Sequence, residues 1–225
     1  MCSVVSIVGK SGVGKTALVE KLIVEFKKRG YRVATVKHSP GGIDIDKPGK
    51  DSWKFAEAGS DAVVISSPDR LVLVKRVEHD PNIEEILRVV GSDFDLALIE
   101  GFKKGKAPKV EVHRKELGSD FACPSKVLSA IVTDEFLDID VPQFSVADIP
   151  AIADFIEKEF ILQSKSDTSL FINGKQVFIK PFVKDIIAKA LLAMVSTLKG
   201  VGEVRSLDIS MKSEVGSNIN SEPKP

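Results

Sequence analysis

At 225 residues, with lysine plus arginine matched to aspartate plus glutamate at 32 each, the chain carries no global field that would draw it to nucleic acid. The length suits one α/β domain with an appendage, or two small domains, and is enough to bury a core without covalent staples. The two cysteines, Cys2 and Cys123, have no paired spacing, which argues against a disulfide framework or a zinc knuckle, and no apolar run approaches the roughly 18 residues of a membrane span.

Met1 leads directly into an apolar run (Val4, Val5, Ile7, Val8) with no charged leader, and with the cysteine usage this gives the expectation of a cytoplasmic protein. The run reads as a strand, and Gly9-Lys10-Ser11-Gly12-Val13-Gly14-Lys15-Thr16 follows it. A helical pattern then begins, with Leu18, Leu22, Ile23 and Phe26 on one side. Strand, glycine-rich loop and helix in that order are the context of a phosphate-binding P-loop. Gly9, Gly12 and Gly14 permit a tight turn whose successive N–H groups converge on phosphate oxygens, at the positive end of the helix. The residues expected around the anion are Gly9, Ser11, Gly12, Val13, Gly14, Lys15, Thr16 and Ala17. Lys15 is placed to reach the β- and γ-phosphates, and the Thr16 hydroxyl to ligate Mg²⁺.

The first helix is expected to run to about Lys28, with Gly30 as its stop, and Tyr31–Val36 reads as a second buried strand ending at Lys37-His38. A loop from Ser39 to Lys50 follows, with Asp44 and Asp46, and long loops at strand C-termini are commonly functional. Asp46 and Asp51 are both candidates for holding Mg²⁺ through water or orienting an attacking water; Asp51-Ser52 serve equally well as the N-cap of a helix over Trp53–Ala58. Asp61–Ser66 and Arg70–Arg76 read as an antiparallel hairpin, which predicts a mixed sheet, and Asn82–Val90 as a helix stopped by Gly91.

Phe94–Ile99 is a buried strand that delivers Glu100 to the sheet edge, where such an acid bears on Mg²⁺ or on the hydrolytic water. Glu100 and Asp46 are thus the candidate catalytic residues, and Thr16, Asp46 and Glu100 the candidate metal set. Lys103, in the basic turn Lys103–Lys106, stands beside that site, and so does His38 at the end of its strand. Pro108–His113 alternates and reads as an edge strand. Ser125–Val132 is read as another buried strand and ends at Thr133-Asp134. A carboxylate there pairs with guanine in GTP-binding P-loop proteins, but no complete N-K-x-D motif is present, and Asp134 serves equally as a turn cap. Val141–Phe144 is a short strand, and Asp148 caps an amphipathic helix from Ile149 to Phe160.

The fold class is therefore α/β: a P-loop NTPase-like, mixed but mostly parallel sheet flanked by helices over residues 1–162. Residues 163–168 read as a linker and 169–212 as a small ββαβ domain. In that domain Asn173-Gly174 is the hairpin turn, Pro181 opens a helix, and Glu203–Ser210 forms the last strand. The helix face is too apolar for solvent and is expected to cover the small sheet or another subunit; residues 213–225 read as a disordered tail.

Taken together, several motifs resemble the MobB family, the molybdopterin-guanine dinucleotide biosynthesis protein B. They are the P-loop, the Val36-Lys37-His38 strand end, Asp44 through Ser52, Ala58-Gly59, and Glu100-Gly101-Phe102-Lys103 followed by Pro108–Val112. The resemblance covers Met1 to about Phe160; residues 169–212 resemble only archaeal-type elongated versions. It implies a homodimeric GTP-binding protein with weak GTPase activity that assists the guanylyltransferase MobA, which joins GMP to molybdopterin. On that resemblance Lys37, His38 and Lys103 line a cleft that meets the pterin phosphate or the partner. Two other readings compete. A P-loop small-molecule kinase would need an arginine-rich lid, and a metallochaperone GTPase a Cys/His cluster; neither pattern stands out in the sequence.

Overall fold

The computed structural model describes residues 2–43, 47–91, 93–163, 168–173, 175–202, 204 and 207–211. Val5, Ile7 and Val8 are all fully buried, so β1 (Ser3–Gly9) is covered on both faces and lies in the middle of a sheet. The strand order is β2-β5-β1-β6-β7-β8, with β2 (Val33–Lys37), β5 (Leu96–Glu100), β6 (Lys109–Val112), β7 (Leu128–Thr133) and β8 (Gln143–Ser145). Every adjacent pair is parallel. The hairpin of β3 (Ala62–Ser66) and β4 (Leu71–Lys75) forms as expected, but as a separate two-stranded sheet, so the main sheet itself is not mixed. Across the whole chain the strands remain mostly parallel.

Alternation along β5 divides the core. Leu96 and Leu98 face α1 (Lys15–Lys28) and α4 (Ile149–Ile156), whose Leu18, Leu22, Phe26, Ile152 and Ile156 fill that side. Ala97 and Ile99 face α3 (Ile83–Val90) through Ile83 and Leu87. The first helix ends at the expected residue. The fourth has Asp148 at its N-cap, the side chain accepting from Ala151 N–H at 3.1 Å, and runs on into one π-helical stretch, Glu157–Ile161. α2 (Asp51–Glu57) starts two residues earlier than its sequence suggests, with Lys50 as N-cap, so Ser52 lies inside the helix and does not cap it.

β6 corrects one expectation outright. It is an interior strand between β1 and β7, and all four of its residues are buried. Its alternating polar positions mimic a solvated face, yet both are satisfied internally. Lys109 Nζ donates to the carbonyls of Gly105 (2.6 Å) and Ala107 (3.0 Å), and the Glu111 carboxylate accepts from the N–H groups of Ala122 (2.5 Å) and Cys123 (3.1 Å). The segment expected to be strand from Ser125 opens as a 3₁₀ turn, Ser125–Val127, and pairs only from Leu128.

Beyond the main sheet, β9 (Leu170–Ile172) and β10 (Lys175–Val177) pair antiparallel, with Asn173 at φ 51° in the turn. By contacts the chain divides after Ile179, which leaves this hairpin in the first unit, with β10 beside α3. The second unit begins with α5 (Pro181–Ser196), which has proline in its first turn and leaves Phe182 and Met194 exposed. Of the segment expected as a closing strand, the described residues Val204 and 207–210 carry no strand. Asp44 and Asp46, the linker positions 164–167, Gly174 and the tail from residue 212 lie outside the described residues. Among the described helices none is long and apolar enough to cross a membrane.

Candidate nucleotide site

Parallel register brings the functional strand ends level. Ile7 on β1 and Lys37 on β2 both pair with Glu100 on β5, and Gly9 pairs with Val112 on β6. The loop leaving β1 therefore rises beside Glu100 on one side and the residues after β6 on the other. Gly9 has φ 148°, and a Cβ there would stand 2.6 Å from the Val112 carbonyl, so only glycine lets β1 turn out of the sheet at that point. Gly14, at φ 96°, is the N-cap of α1 and offers no side-chain cap. The first intrahelical bond runs from Leu18 N–H to Gly14 O at 3.0 Å, so the amides of Lys15, Thr16 and Ala17 precede the hydrogen-bonded turns, and no acid occupies the first turn. An uncapped, unneutralised helix start is suited to an anion.

Cations surround it. Lys15 Nζ donates to the carbonyls of Lys10 (2.6 Å) and Gly9 (3.3 Å), keeping the ammonium over the loop. Burial lowers the Lys15 pKa; Lys103 and Lys37 push it the same way, and Glu100 opposes them. Lys37 and Lys103, both expected at the site, are thus near enough to act on Lys15. Lys37 Nζ lies 3.8 Å from Glu100 Oε1, and the Thr16 hydroxyl donates to Glu100 Oε2 at 2.8 Å. Two adjacent hard oxygen donors fit the ligand preference of Mg²⁺, which favours carboxylate and hydroxyl oxygens. His38 is held on two sides: its Nε2 is 3.0 Å from an Asp80 carboxylate oxygen, and its ring lies 4.2 Å from that of Phe102. Phe102 has φ 55°, and Gly101 before it packs against His38, so the Glu100–Phe102 corner fixes the histidine.

The other expected residues spread along the same edge. Ser11 and Ala17 are exposed, and Val13 is buried in the core beneath the loop. Asp134 stands just past β7 in the wall of an open cavity of about 300 Å³, with Thr133, Phe136, Gln143 and Phe144. Its carboxylate accepts from Lys115 N–H (3.1 Å) and from Arg114 Nη1 (3.4 Å). These bonds, Lys115's chiefly, hold its pKa below the usual carboxylate range. Sequence reasoning missed Arg114 and Asp80, which the structure places beside Gly14 and His38. For Arg114 the available signal was its place just after β6, which points to the site only once β6 is known to adjoin β1.

Residues 4–134 match the family described as MobB, molybdopterin guanine dinucleotide synthesis protein B. The chain belongs to the MobB family. It is 38% identical over 152 residues to the molybdopterin-guanine dinucleotide biosynthesis adapter protein of Haemophilus influenzae, covering 67% of this chain and 85% of that protein. A putative adapter protein of the same description from Methanocaldococcus jannaschii is 24% identical but extends over 92% of this chain and 97% of its own. A crystal structure of molybdopterin-guanine biosynthesis protein B superposes with a TM-score of 0.55 at 31% identity, over 69% of this chain and 98% of that one. The MobB fold thus accounts for the P-loop unit, and the Methanocaldococcus relative carries the similarity through most of the C-terminal part.

Proposed function

We propose that the chain is a GTP-binding accessory protein in molybdopterin-guanine dinucleotide biosynthesis, assisting the guanylyltransferase MobA. The observation that carries this reading is the uncapped start of α1 with Lys15 over it and the Thr16 hydroxyl bonded to Glu100. The adapter names of the relatives support the pathway. In this reading the amides from Gly12 to Ala17 bind the phosphate chain and Lys15 neutralises its outer end. Thr16 and Glu100 would hold Mg²⁺, joined by Asp46 from the stretch outside the described residues, and the ion would supply positive charge against that of the phosphates.

Glu100 also orients the water that attacks the γ-phosphate. Hydrolysis stays weak unless a further cation, such as an arginine finger, is brought to the γ-phosphate in the transition state. The nucleobase lies toward the cavity past β7 and β8, with Asp134 at its wall. Lys37, His38 and Lys103 meet the phosphate of molybdopterin or the partner enzyme. The protein acts in the cytoplasm as a homodimer. Support for self-association comes from the β3–β4 hairpin, whose Val64, Leu71 and Leu73 are exposed apolar residues on one face, with Val64 opposite Leu73 in the register.

The test is a binding comparison of GTP, ATP and molybdopterin on the purified protein, with the mass of the complex, followed by titration into a MobA reaction. Magnesium-dependent GTP binding and faster dinucleotide formation are expected. A protein that prefers ATP and phosphorylates a small acceptor in steady turnover would replace this reading with the kinase one.

A further inference from the structure

The turn after β6 is docked against the P-loop. Lys10 Nζ donates to the Leu117 carbonyl at 2.8 Å, and a Cβ on Gly118 would stand 3.6 Å from the same ammonium. Within that turn the Arg114 guanidinium reaches back to the helix start, its Nη2 3.9 Å from where a Cβ of Gly14 would be. Its other terminal nitrogen, Nη1, is 3.4 Å from Asp134 Oδ2, in the wall of the cavity past β7. Arg114 therefore spans the distance between the loop that faces phosphate and the cavity that faces the base. With the base placed toward that cavity, as proposed above, the inner end of the phosphate chain falls between the two. A guanidinium is permanently charged, presents several donors in one plane, and still has donors to spare after one bond to a carboxylate.

We propose that Arg114 is a nucleotide-binding residue that contacts the phosphate nearest the nucleoside, and that Asp134 is the positioning residue which aims it. This rests on the P-loop reading above. It also gives Asp134 work that the guanine reading does not: its two oxygens are held by Arg114 and the Lys115 N–H, an arrangement that fixes the arginine from below.

Titration of fluorescent GDP, GTP and ADP into the full chain, at fixed Mg²⁺, tests it with wild type, Lys15→Ala, Arg114→Ala and Arg114→Lys, and with Asp134→Asn alone and in the Arg114→Ala background. Arg114→Ala is expected to weaken GDP and GTP by the same factor, about tenfold or more, as loss of a charged hydrogen bond implies. Arg114→Lys is expected to fall between Ala and wild type, because it keeps the charge and loses the fork. Affinity of both Arg114 variants within about twofold of wild type, with Lys15→Ala unable to bind, would overturn the proposal and leave the P-loop reading standing. A loss confined to GTP would also overturn it, since that places the arginine at the γ-phosphate. Wild type that binds neither nucleotide would remove both. Asp134→Asn is expected to weaken binding alone and to add nothing in the Arg114→Ala background. An additional loss there, expressed as reduced preference for GDP over ADP, would show that Asp134 reads the base.

Discussion

Thr16, in the first turn of α1, donates to Glu100 at the end of β5, and that 2.8 Å bond ties the helix start to the strand end. Lys15→Ala removes the ammonium held over the loop carbonyls. It is expected to abolish nucleotide binding while far-UV circular dichroism stays unchanged; retained affinity would refute the P-loop assignment. Glu100→Gln keeps an acceptor for Thr16 but removes the charge, so single-turnover hydrolysis should slow by more than affinity falls. The reverse pattern would take Glu100 away from metal and water. At this scale the sequence was most legible where residue type alone fixes chemistry. Gly9 at φ 148° and Lys15 above the loop follow from the spacing of the motif. Arg114 did not, because its role depends on which strand lies beside β1, and no local pattern encodes that neighbour.

The misreading of β6 came from polar residues buried in pairs with backbone. β6 has the alternation of a half-solvated strand, yet Lys109 and Glu111 are 3% and 1% exposed and satisfied by carbonyls and amides. Glu111→Ala would leave the Ala122 and Cys123 amides without that acceptor. The expected cost is about 2–4 kcal/mol in urea unfolding, against tenths for a change on a true edge strand. α3, by contrast, was legible from its apolar spacing and the Gly91 stop, and the structure adds a reciprocal capping box of Asn82 and Glu85 at its start.

The junction of α1 and α4 carries a pH signature. Tyr31 donates to Glu157 Oε1 at 2.5 Å, and chiefly for that reason its pKa is raised to about 12. A phenol with a raised folded pKa adds stability that is full below about 10 and lost as pH climbs to about 12. Glu157 runs the opposite way. The bonds from Tyr31 and then Arg29 lower its pKa, so its contribution is present above the ordinary carboxylate range and lost as pH falls below it. Tyr31→Phe should cost about 1 kcal/mol near neutrality and flatten the alkaline limb of stability against pH.

Over the whole molecule, parallel strands with their C-termini on one edge are what bring Lys37, Glu100, the P-loop and Asp134 together, although they are scattered along the chain. The alternation of strand and helix made that architecture readable; the order of strands, which is a property of packing, was not. The separate β3–β4 sheet shows the same limit, since a hairpin signal does not say which sheet it joins. Its exposed apolar face gives a test of assembly: Leu71→Lys with Leu73→Lys should shift the mass in solution from dimer to monomer without loss of GTP binding. An unchanged mass would place the interface elsewhere.

The most direct measurement is a crystal structure of the chain with a non-hydrolysable GTP analogue and Mg²⁺. Phosphate density over the amides from Gly12 to Ala17, with the metal facing Thr16 and Glu100, is the expected result. An empty loop in crystals holding the analogue elsewhere would contradict nucleotide binding at this site.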